Sequence, residues 1–244
     1  MNRRRVLFYV GRIVTLEAAL LAIPLIVALI YKEECASAFL ITIGIALVCG
    51  FAASFVANTK NKVIYAREGF AIVSFAWLFM SALGALPFYI SGAIPSYADA
   101  FFETVSGFTT TGASILTNVE AMPRALLFWR SFTHFIGGMG VLVLVMAILP
   151  DSSGRSIHIM RAEMPGPVVG KIVPKARDTA KILYIMYIFL TFVEVVMLLF
   201  GGMSLYEALV HSFGTAGTGG FSIKADGIAG YSPYIQWVIT VFMF

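Results

Sequence analysis

Charged residues are scarce in this chain of 244 residues, and no constellation of catalytic side chains is evident in it. Only 12% of the residues are charged, against 59% that are hydrophobic, and this balance excludes an ordinary soluble domain. The two cysteines, Cys35 and Cys49, have too few candidate partners for a metal site or for catalysis. We interpret them as small apolar fillers, and we do not expect an enzyme.

Most of the chain consists of long apolar runs without charged residues or with few of them. A bilayer core of about 30 Å is crossed by about 20 apolar residues in a helix. The chain has five runs of this kind and the start of a sixth. They cover about 6–31, 37–57, 69–92, 124–150 and 179–201, and the sixth begins near 232. The predicted fold class is therefore an all-α, polytopic membrane protein.

The basic residues fall on alternate sides of these spans. Thirteen of the seventeen Lys and Arg residues lie in three clusters, within 3–12, 60–67 and 155–181. Cytoplasmic loops carry such an excess of positive charge, so the amino terminus is predicted to be cytoplasmic. The net charge of +4 is thereby explained without nucleic acid, and membrane lipid is the expected partner. The first span is too long for a signal peptide and lacks a small-residue cleavage site, which favours a retained helix.

Two five-residue segments share the pattern T-x-G-x-S. They are residues 110–114 (Thr-Thr-Gly-Ala-Ser) and 218–222 (Thr-Gly-Gly-Phe-Ser), and they lie 108 residues apart. At this offset residues 96–115 align with 204–223 without a gap, with six identities. The same offset superposes the preceding spans and the following helix starts, which predicts an internal duplication.

A short helix is predicted before each T-x-G-x-S segment. Ser204 and Glu207 form a capping-box pattern, and Ser96 with Asp99 is its close analogue. The residues that follow suffice for a half-length helix whose carboxyl end points into the membrane, where its partial negative charge favours a cation. Non-helical backbone at membrane depth survives only when it is buried in protein or lines a water-filled path. Each repeat is therefore predicted to be helix, re-entrant pore loop and helix.

This duplication divides the chain into four parts. Residues 1–67 are expected to form two additional amino-terminal transmembrane helices, and 68–150 the first helix–pore loop–helix unit. Residues 151–178 are expected to form a cytoplasmic loop. Residues 179–244 are expected to form the second unit, which is cut short in its last helix.

The T-x-G-x-S segments are predicted to bind dehydrated potassium through backbone carbonyls. Rings of carbonyls replace the hydration shell of the ion in potassium channels, and glycine permits the backbone conformations that this requires. Neither segment contains a carboxylate, which disfavours selectivity for divalent ions. The alternative interpretation is an ordinary Gly/Thr turn outside the membrane. The predicted potassium-binding residues are Thr110, Thr111, Gly112, Ala113, Thr218, Gly219, Gly220 and Phe221.

Several ionisable residues lie in or near the spans, where such groups usually have a partner or a role. Glu103 and His211 hold equivalent positions in the two half-helices, and they either tune the field at the ion or hydrogen-bond behind the filter. Arg130 lies near the outer edge of its span, so its side chain is expected to snorkel to the surface. The glycines of 137–140 are expected to allow close helix packing. The remaining residues of this kind are Glu17, His134 and Glu194.

The residues around both segments resemble the pore loops of the Trk/Ktr/HKT family of potassium transporters, in its TrkH-type subunit. Residues 102–114 and 211–222 carry the resemblance, and 137–140 and 161–167 are also similar. It implies potassium uptake across the cytoplasmic (inner) membrane, with one filter glycine from each loop, Gly112 and Gly220. It also implies a homodimer, a cytoplasmic nucleotide-binding regulatory subunit of the TrkA type, and no cofactor besides the transported ion.

The family builds one pore from four helix–loop–helix units, and this chain contains two. Its last residues, from about 232 to 244, make only about 20 Å of helix. We therefore expect the amino-terminal half of a longer protein, and a downstream reading frame with two further loops would test this. The alternatives are a sodium-permeable or sodium-coupled relative, and a non-transporting fragment that needs the missing carboxyl-terminal half.

Overall fold

The computed structural model of the chain describes residues 2–57, 66–140 and 176–244, and the regular elements in these ranges are all helices. Four apolar stretches are long enough to cross a membrane, Arg3–Tyr31, Ala36–Val56, Arg67–Ile90 and Ala180–Phe200. The predicted all-α fold with several spans is confirmed. The helices are α1 Arg3–Leu20, α2 Ala22–Tyr31, α3 Ala36–Val56, α4 Ala66–Gly84, α5 Leu86–Ile90, α6 Tyr97–Phe108, α7 Arg124–Gly138, α8 Ala176–Phe200, α9 Leu205–Ala216 and α10 Pro233–Met243.

Two of the spans are interrupted, which the apolar runs alone did not predict. The first changes from α1 to α2 at Leu21, and the third changes from α4 to α5 at Ala85. Pro24 and Pro87 follow these breaks by three and two residues. A proline has no amide hydrogen, and its ring conflicts with the carbonyl four residues earlier, so a helix breaks or bends just before it.

The two amino-terminal spans pack closely through glycine. A Cβ atom added to Gly11 of α1 would lie 2.8 Å from the carbonyl oxygen of Gly50 in α3. A Cβ atom added to Gly50 would lie 2.8 Å from the carbonyl oxygen of Gly11. Small residues at such crossings let helix backbones approach within a membrane. The pair α1 and α3 is therefore held by backbone contact.

Helix α7 lies at the centre of the described structure. Its amino terminus is capped by Glu33 of the α2–α3 turn, whose carboxylate accepts from the amides of Arg124 (2.7 Å) and Ala125 (2.9 Å). A negative charge at this end of a helix is stabilising. Eleven of the 15 residues of α7 are buried, and Trp129 donates to the carbonyl oxygen of Gly84 at 2.9 Å, beside the α4–α5 break.

The glycines near the carboxyl end of α7 bring it against both half-helices. A Cβ atom on Gly137 would clash with the carbonyl group of Phe108, the last residue of α6. A Cβ atom on Gly138 would lie 2.7 Å from the Cα atom of Gly217, directly after α9. The expected role of residues 137–140 in close helix packing is therefore confirmed for these two glycines.

The internal duplication is visible in the helix boundaries. Helices α6 and α9 each contain 12 residues, and both their ends differ by the offset of 108. Helix α8 begins at Ala176, three residues before the boundary expected at 179. Residues 151–175 of the expected cytoplasmic loop (151–178) and residues 141–150 of the expected span (124–150) lie outside the described residues.

Candidate pore-loop site

The two half-helices begin with the caps that the sequence predicts. In α9 the amide of Glu207 donates to Ser204 Oγ (3.3 Å), and the amide of Ser204 donates to Glu207 Oε2 (3.0 Å), which closes the capping box. In α6 the amide of Asp99 donates to Ser96 Oγ at 3.4 Å. The reciprocal bond is found only in α9 among these two helices. The second half-helix is therefore capped more completely than the first.

Both half-helices also end in the same way. After α6, the amide of Thr110 donates to the carbonyl of Gly107 (3.0 Å), and the amide of Thr111 donates to that of Ser106 (2.9 Å). This pair of bonds is the Schellman motif, which ends a helix with one residue in the left-handed conformation. The left-handed residue is Thr110, the first residue of the T-x-G-x-S segment.

The second half-helix repeats these bonds at the offset of 108. The amide of Thr218 donates to the carbonyl of Thr215 (2.8 Å), and the amide of Gly219 donates to that of Gly214 (2.9 Å). Each T-x-G-x-S segment therefore contains both the left-handed residue that ends the half-helix and the non-helical backbone that follows it.

Positive φ angles occur at the first and third residues of both segments. Thr110 and Thr218 have φ of 54° and 53°, and Gly112 and Gly220 have φ of 74° and 80°. In the described ranges, Lys32 is the other non-glycine residue with positive φ. A β-branched residue in this region is a true outlier, and such strain concentrates at functional sites.

The two segments touch each other through Gly112. A Cβ atom on this glycine would clash with the carbonyl oxygen of Gly219 in the second segment. A Cβ atom on Gly220 would meet no described atom within 4 Å. The equivalent glycines therefore share a backbone conformation but differ in surroundings, one at a contact and the other facing open space.

Arg130 of α7 is buried, and the expectation that it snorkels to the surface is wrong. Its Nε donates to Glu103 Oε1 of α6 at 2.5 Å, and the two side chains are 4% and 0% exposed. The guanidinium stays inside because α7 is enclosed by other helices and a carboxylate faces it there. A buried charge of this kind requires such a partner.

Glu103 holds the last residue of the first segment and the residue after it. Its Oε1 accepts from the hydroxyl of Ser114 at 2.9 Å, and its Oε2 accepts from the amide of Ile115 at 3.0 Å. Arg130 in turn donates from Nη1 to the carbonyl oxygen of Ser222 at 3.1 Å. Of the two interpretations of Glu103, hydrogen bonding behind the segment is the one that these contacts support.

Phe221 lies between Arg130 and His134. The Arg130 guanidinium carbon is 3.4 Å from the centroid of the Phe221 ring, and the His134 ring centroid is 4.0 Å away, with 22° between the ring planes. Two groups this close to one centroid cannot share a face, so they lie on opposite faces. A Cβ atom on Gly219 would also clash with the His134 ring. The second segment is thus packed tightly on α7.

His211, the equivalent of Glu103, makes different contacts. Its Nε2 lies 3.3 Å from the hydroxyl oxygen of Tyr231, and that hydroxyl lies 3.3 Å from Glu207 Oε1. His211 therefore links α9 to the chain that precedes α10.

The predicted potassium-binding residues follow the ends of α6 and α9, which both pack against the carboxyl end of α7, and the two groups of residues touch at Gly112 and Gly219. Thr111, Ala113, Thr218 and Gly220 are exposed, whereas the side chain of Phe221 is buried. A Cβ atom on Gly214 of α9 would lie 3.0 Å from the Phe221 carbonyl oxygen, so that oxygen lies beside the half-helix.

Two further carboxylates are buried within spans. Glu17 of α1 and Glu194 of α8 are 0% and 1% exposed. The Glu17 carboxylate has no hydrogen-bond partner among the described residues, whereas the Glu194 carboxylate lies close to the hydroxyl group of Thr215 near the end of α9. Glu17 lies near Gly84, since a Cβ atom there would be 3.2 Å from Glu17 Oε1. Neither residue reaches the T-x-G-x-S segments through any bond in the described structure.

This chain is similar in sequence and in fold to known potassium uptake proteins. Trk system potassium uptake protein TrkH of Escherichia coli (strain K12) is 39% identical over 247 residues, which cover 100% of this chain and 51% of that protein. The TrkH protein of Vibrio parahaemolyticus is 36% identical over 243 residues, which cover 99% of this chain and 50% of that protein. The crystal structure of the potassium transporter TrkH from Vibrio parahaemolyticus matches with a TM-score of 0.83 at 33% identity, over 99% of this chain and 49% of that chain.

The apolar spans and these relatives define a multi-pass membrane protein of the cation-transporter class. A family model described as a cation transport protein, TrkH, matches residues 36–244. The chain therefore belongs to the TrkH family of cation transport proteins. It spans about half the length of the curated relatives that it matches. Those relatives are named as potassium uptake proteins.

Proposed function

We propose that this chain contributes two pore loops to the pore-forming subunit of a Trk-type potassium uptake system. The proposal is supported by family membership and by relatives that are named as potassium uptake proteins. The observation that carries it is the repeated backbone of the two T-x-G-x-S segments, left-handed at Thr110 and Gly112 and again at Thr218 and Gly220. Two equivalent stretches of irregular backbone beside two helix carboxyl ends suit the binding of a monovalent cation.

In the proposed mechanism, potassium from outside exchanges its water for backbone carbonyls near residues 110–113 and 218–221. The threonine and glycine residues of the proposed site are Thr110, Thr111, Gly112, Thr218, Gly219 and Gly220, and Ala113 and Phe221 complete it. Because its ring is buried against α7, Phe221 is proposed to hold the second segment in place. The ion is the transported substrate, and no other cofactor is proposed.

The proposed location is the cytoplasmic (inner) membrane, with a cytoplasmic amino terminus. The alternation of the basic clusters supports this orientation. Membrane lipid surrounds the spans, whose outer faces carry exposed apolar residues such as Phe55, Phe189 and Phe200. We also propose a homodimer and a cytoplasmic nucleotide-binding regulatory subunit of the TrkA type, on the basis of the family resemblance.

The test is ion flux through the full-length protein in proteoliposomes, with potassium and sodium measured separately. We expect potassium flux above sodium flux, and growth at low potassium of a bacterial host that lacks its own uptake systems. A sodium flux equal to or above that of potassium would favour the sodium-permeable alternative. No flux from protein with intact helical circular dichroism would favour a non-transporting scaffold.

A further inference from the structure

The two repeats differ at the residues that hold the T-x-G-x-S segments in place. Glu103 and Arg130 form a buried ion pair in the first repeat, but their equivalents in the second are His211 and Val238. Val238 lies in an apolar cluster and has no group that could hold a carbonyl oxygen. The second repeat therefore lacks a copy of the ion pair.

The single ion pair instead serves both repeats. Through Glu103 it holds Ser114 and Ile115, and through Arg130 it holds the carbonyl oxygen of Ser222. Ser114 and Ser222 are equivalent at the offset of 108, and each ends its T-x-G-x-S segment. The two segments are thus joined at matching positions by one buried chain of charge-assisted hydrogen bonds, which are stronger than neutral ones.

We propose that Arg130 is a positioning residue for both pore loops, which it holds in register through Glu103 and Ser222, and that this contact sets cation selectivity. This inference rests on the proposed function. Arginine suits the role because its planar guanidinium presents donors in fixed directions, so that Nε can bind Glu103 while Nη1 binds Ser222. The ammonium group of lysine is a single point charge and cannot reproduce both bonds in the same geometry.

The pair also has an electrostatic consequence. Arg130 places a positive charge next to Phe221, beside a path proposed for cations, and Glu103 neutralises it. Glu103→Gln leaves that positive charge unbalanced, whereas in Arg130→Gln the buried Glu103 carboxyl takes up a proton and becomes neutral. The half-saturating potassium concentration is therefore expected to rise in Glu103→Gln and not in Arg130→Gln. A loss of fold stability alone would not distinguish the two variants in this way.

The first experiment measures local structure without transport. Hydrogen–deuterium exchange is followed in the full-length protein for peptides that cover 112–117 and 220–225. The double variant Arg130→Gln/Glu103→Gln contains no unbalanced buried charge, so it is the variant that should still fold. We expect exchange to become about tenfold faster in both peptides, because the charge-assisted bonds that hold them are replaced by weaker neutral ones. Unchanged exchange in the 220–225 peptide would overturn the proposal.

The second experiment measures the potassium-to-sodium flux ratio in proteoliposomes. We expect Arg130→Lys and the double variant to lower this ratio at least about fivefold, since a difference of 1 kcal/mol changes a ratio by about this factor. The control is Arg124→Gln, which removes an arginine from the same helix at a site against Tyr31 and Tyr206 and should leave the ratio unchanged. A wild-type ratio in both test variants would overturn the proposal. A wild-type protein without potassium flux would instead refute the proposed function, while the exchange experiment still tests the register.

Discussion

Thr110 and Thr218 end two separate half-helices in the same left-handed conformation, with φ of 54° and 53°. The residues after them differ in side chain, since Thr111 is equivalent to Gly219 and Ala113 to Phe221. The backbone nevertheless repeats, including positive φ at Gly112 and Gly220. The duplicated feature is therefore a main-chain shape, in keeping with a site that works through carbonyl groups.

Replacing either left-handed threonine with glycine should separate stability from selectivity. Thr110→Gly or Thr218→Gly relieves about 1–2 kcal/mol of left-handed strain, against an entropy cost of about 0.5–1 kcal/mol for glycine. We expect a free energy of unfolding that is unchanged or up to about 1.5 kcal/mol higher, with a lower potassium-to-sodium flux ratio. Thermal unfolding in detergent and flux assays measure the two effects. Thr240→Gly, on the exposed face of α10, is the control and should destabilise by about 0.3 kcal/mol, the difference in helix propensity between threonine and glycine.

The two glycines of the proposed filter, Gly112 and Gly220, should respond differently to replacement by alanine. Gly112→Ala adds a methyl group where the carbonyl oxygen of Gly219 lies, in addition to strain at positive φ. Gly220→Ala adds only the strain, about 1–2 kcal/mol. Both should reduce potassium-over-sodium selectivity in flux assays, Gly112→Ala more severely. Gly44→Ala is the control, because its added Cβ meets no described atom within 4 Å, and its potassium-to-sodium flux ratio should equal that of the wild type. Equal ratios in all three variants would remove the glycines from the selectivity site.

The two capping serines should also differ. Ser204→Ala breaks a closed capping box, and we expect it to lower the free energy of unfolding by about 1 kcal/mol. Ser96→Ala breaks one bond of 3.4 Å and should cost less. Thermal unfolding of the two variants in the same detergent gives the comparison. A larger loss for Ser96→Ala would contradict the stronger contribution expected from the Ser204 hydroxyl, which also donates to Glu207 Oε2.

The backbone contact between α7 and α6 should tolerate no side chain. Gly137→Ala places a methyl group on the carbonyl of Phe108, and backbone cannot move aside as a flexible side chain can. Overpacking of this kind costs about 1–3 kcal/mol. We expect a lower unfolding temperature and a lower yield of monodisperse protein by size-exclusion chromatography. A wild-type unfolding temperature would contradict the close packing of these helices.

Local signals in the sequence predicted much of the fold. Helix starts at Ser96 and Ser204 follow from capping chemistry, which depends on neighbouring residues alone. The breaks at Leu21 and Ala85 also have local causes, Pro24 and Pro87, although apolar run length concealed them.

The support of the site could not be predicted in the same way. Glu103 precedes Arg130 by 27 residues and lies on another helix, and Ser222 follows it by 92. The sequence predicts a surface position for Arg130 because the residue lies near the end of a span. Position along a span does not show which helix packs against the residue. Only the packing of α6 and α9 around α7 brings these groups together.

The Schellman endings restrict which oxygens of the half-helices can serve an ion. The carbonyls of Ser106 and Gly107, like those of Gly214 and Thr215, already accept amide hydrogens from the chain that leaves the helix. Two carbonyls at each helix end are thus occupied. In the proposed site these carbonyls act on a nearby cation through the electric field of the helix, and the direct ligands are carbonyls of the T-x-G-x-S segments. Substitutions within the half-helix and within the segment are therefore expected to alter attraction and coordination separately.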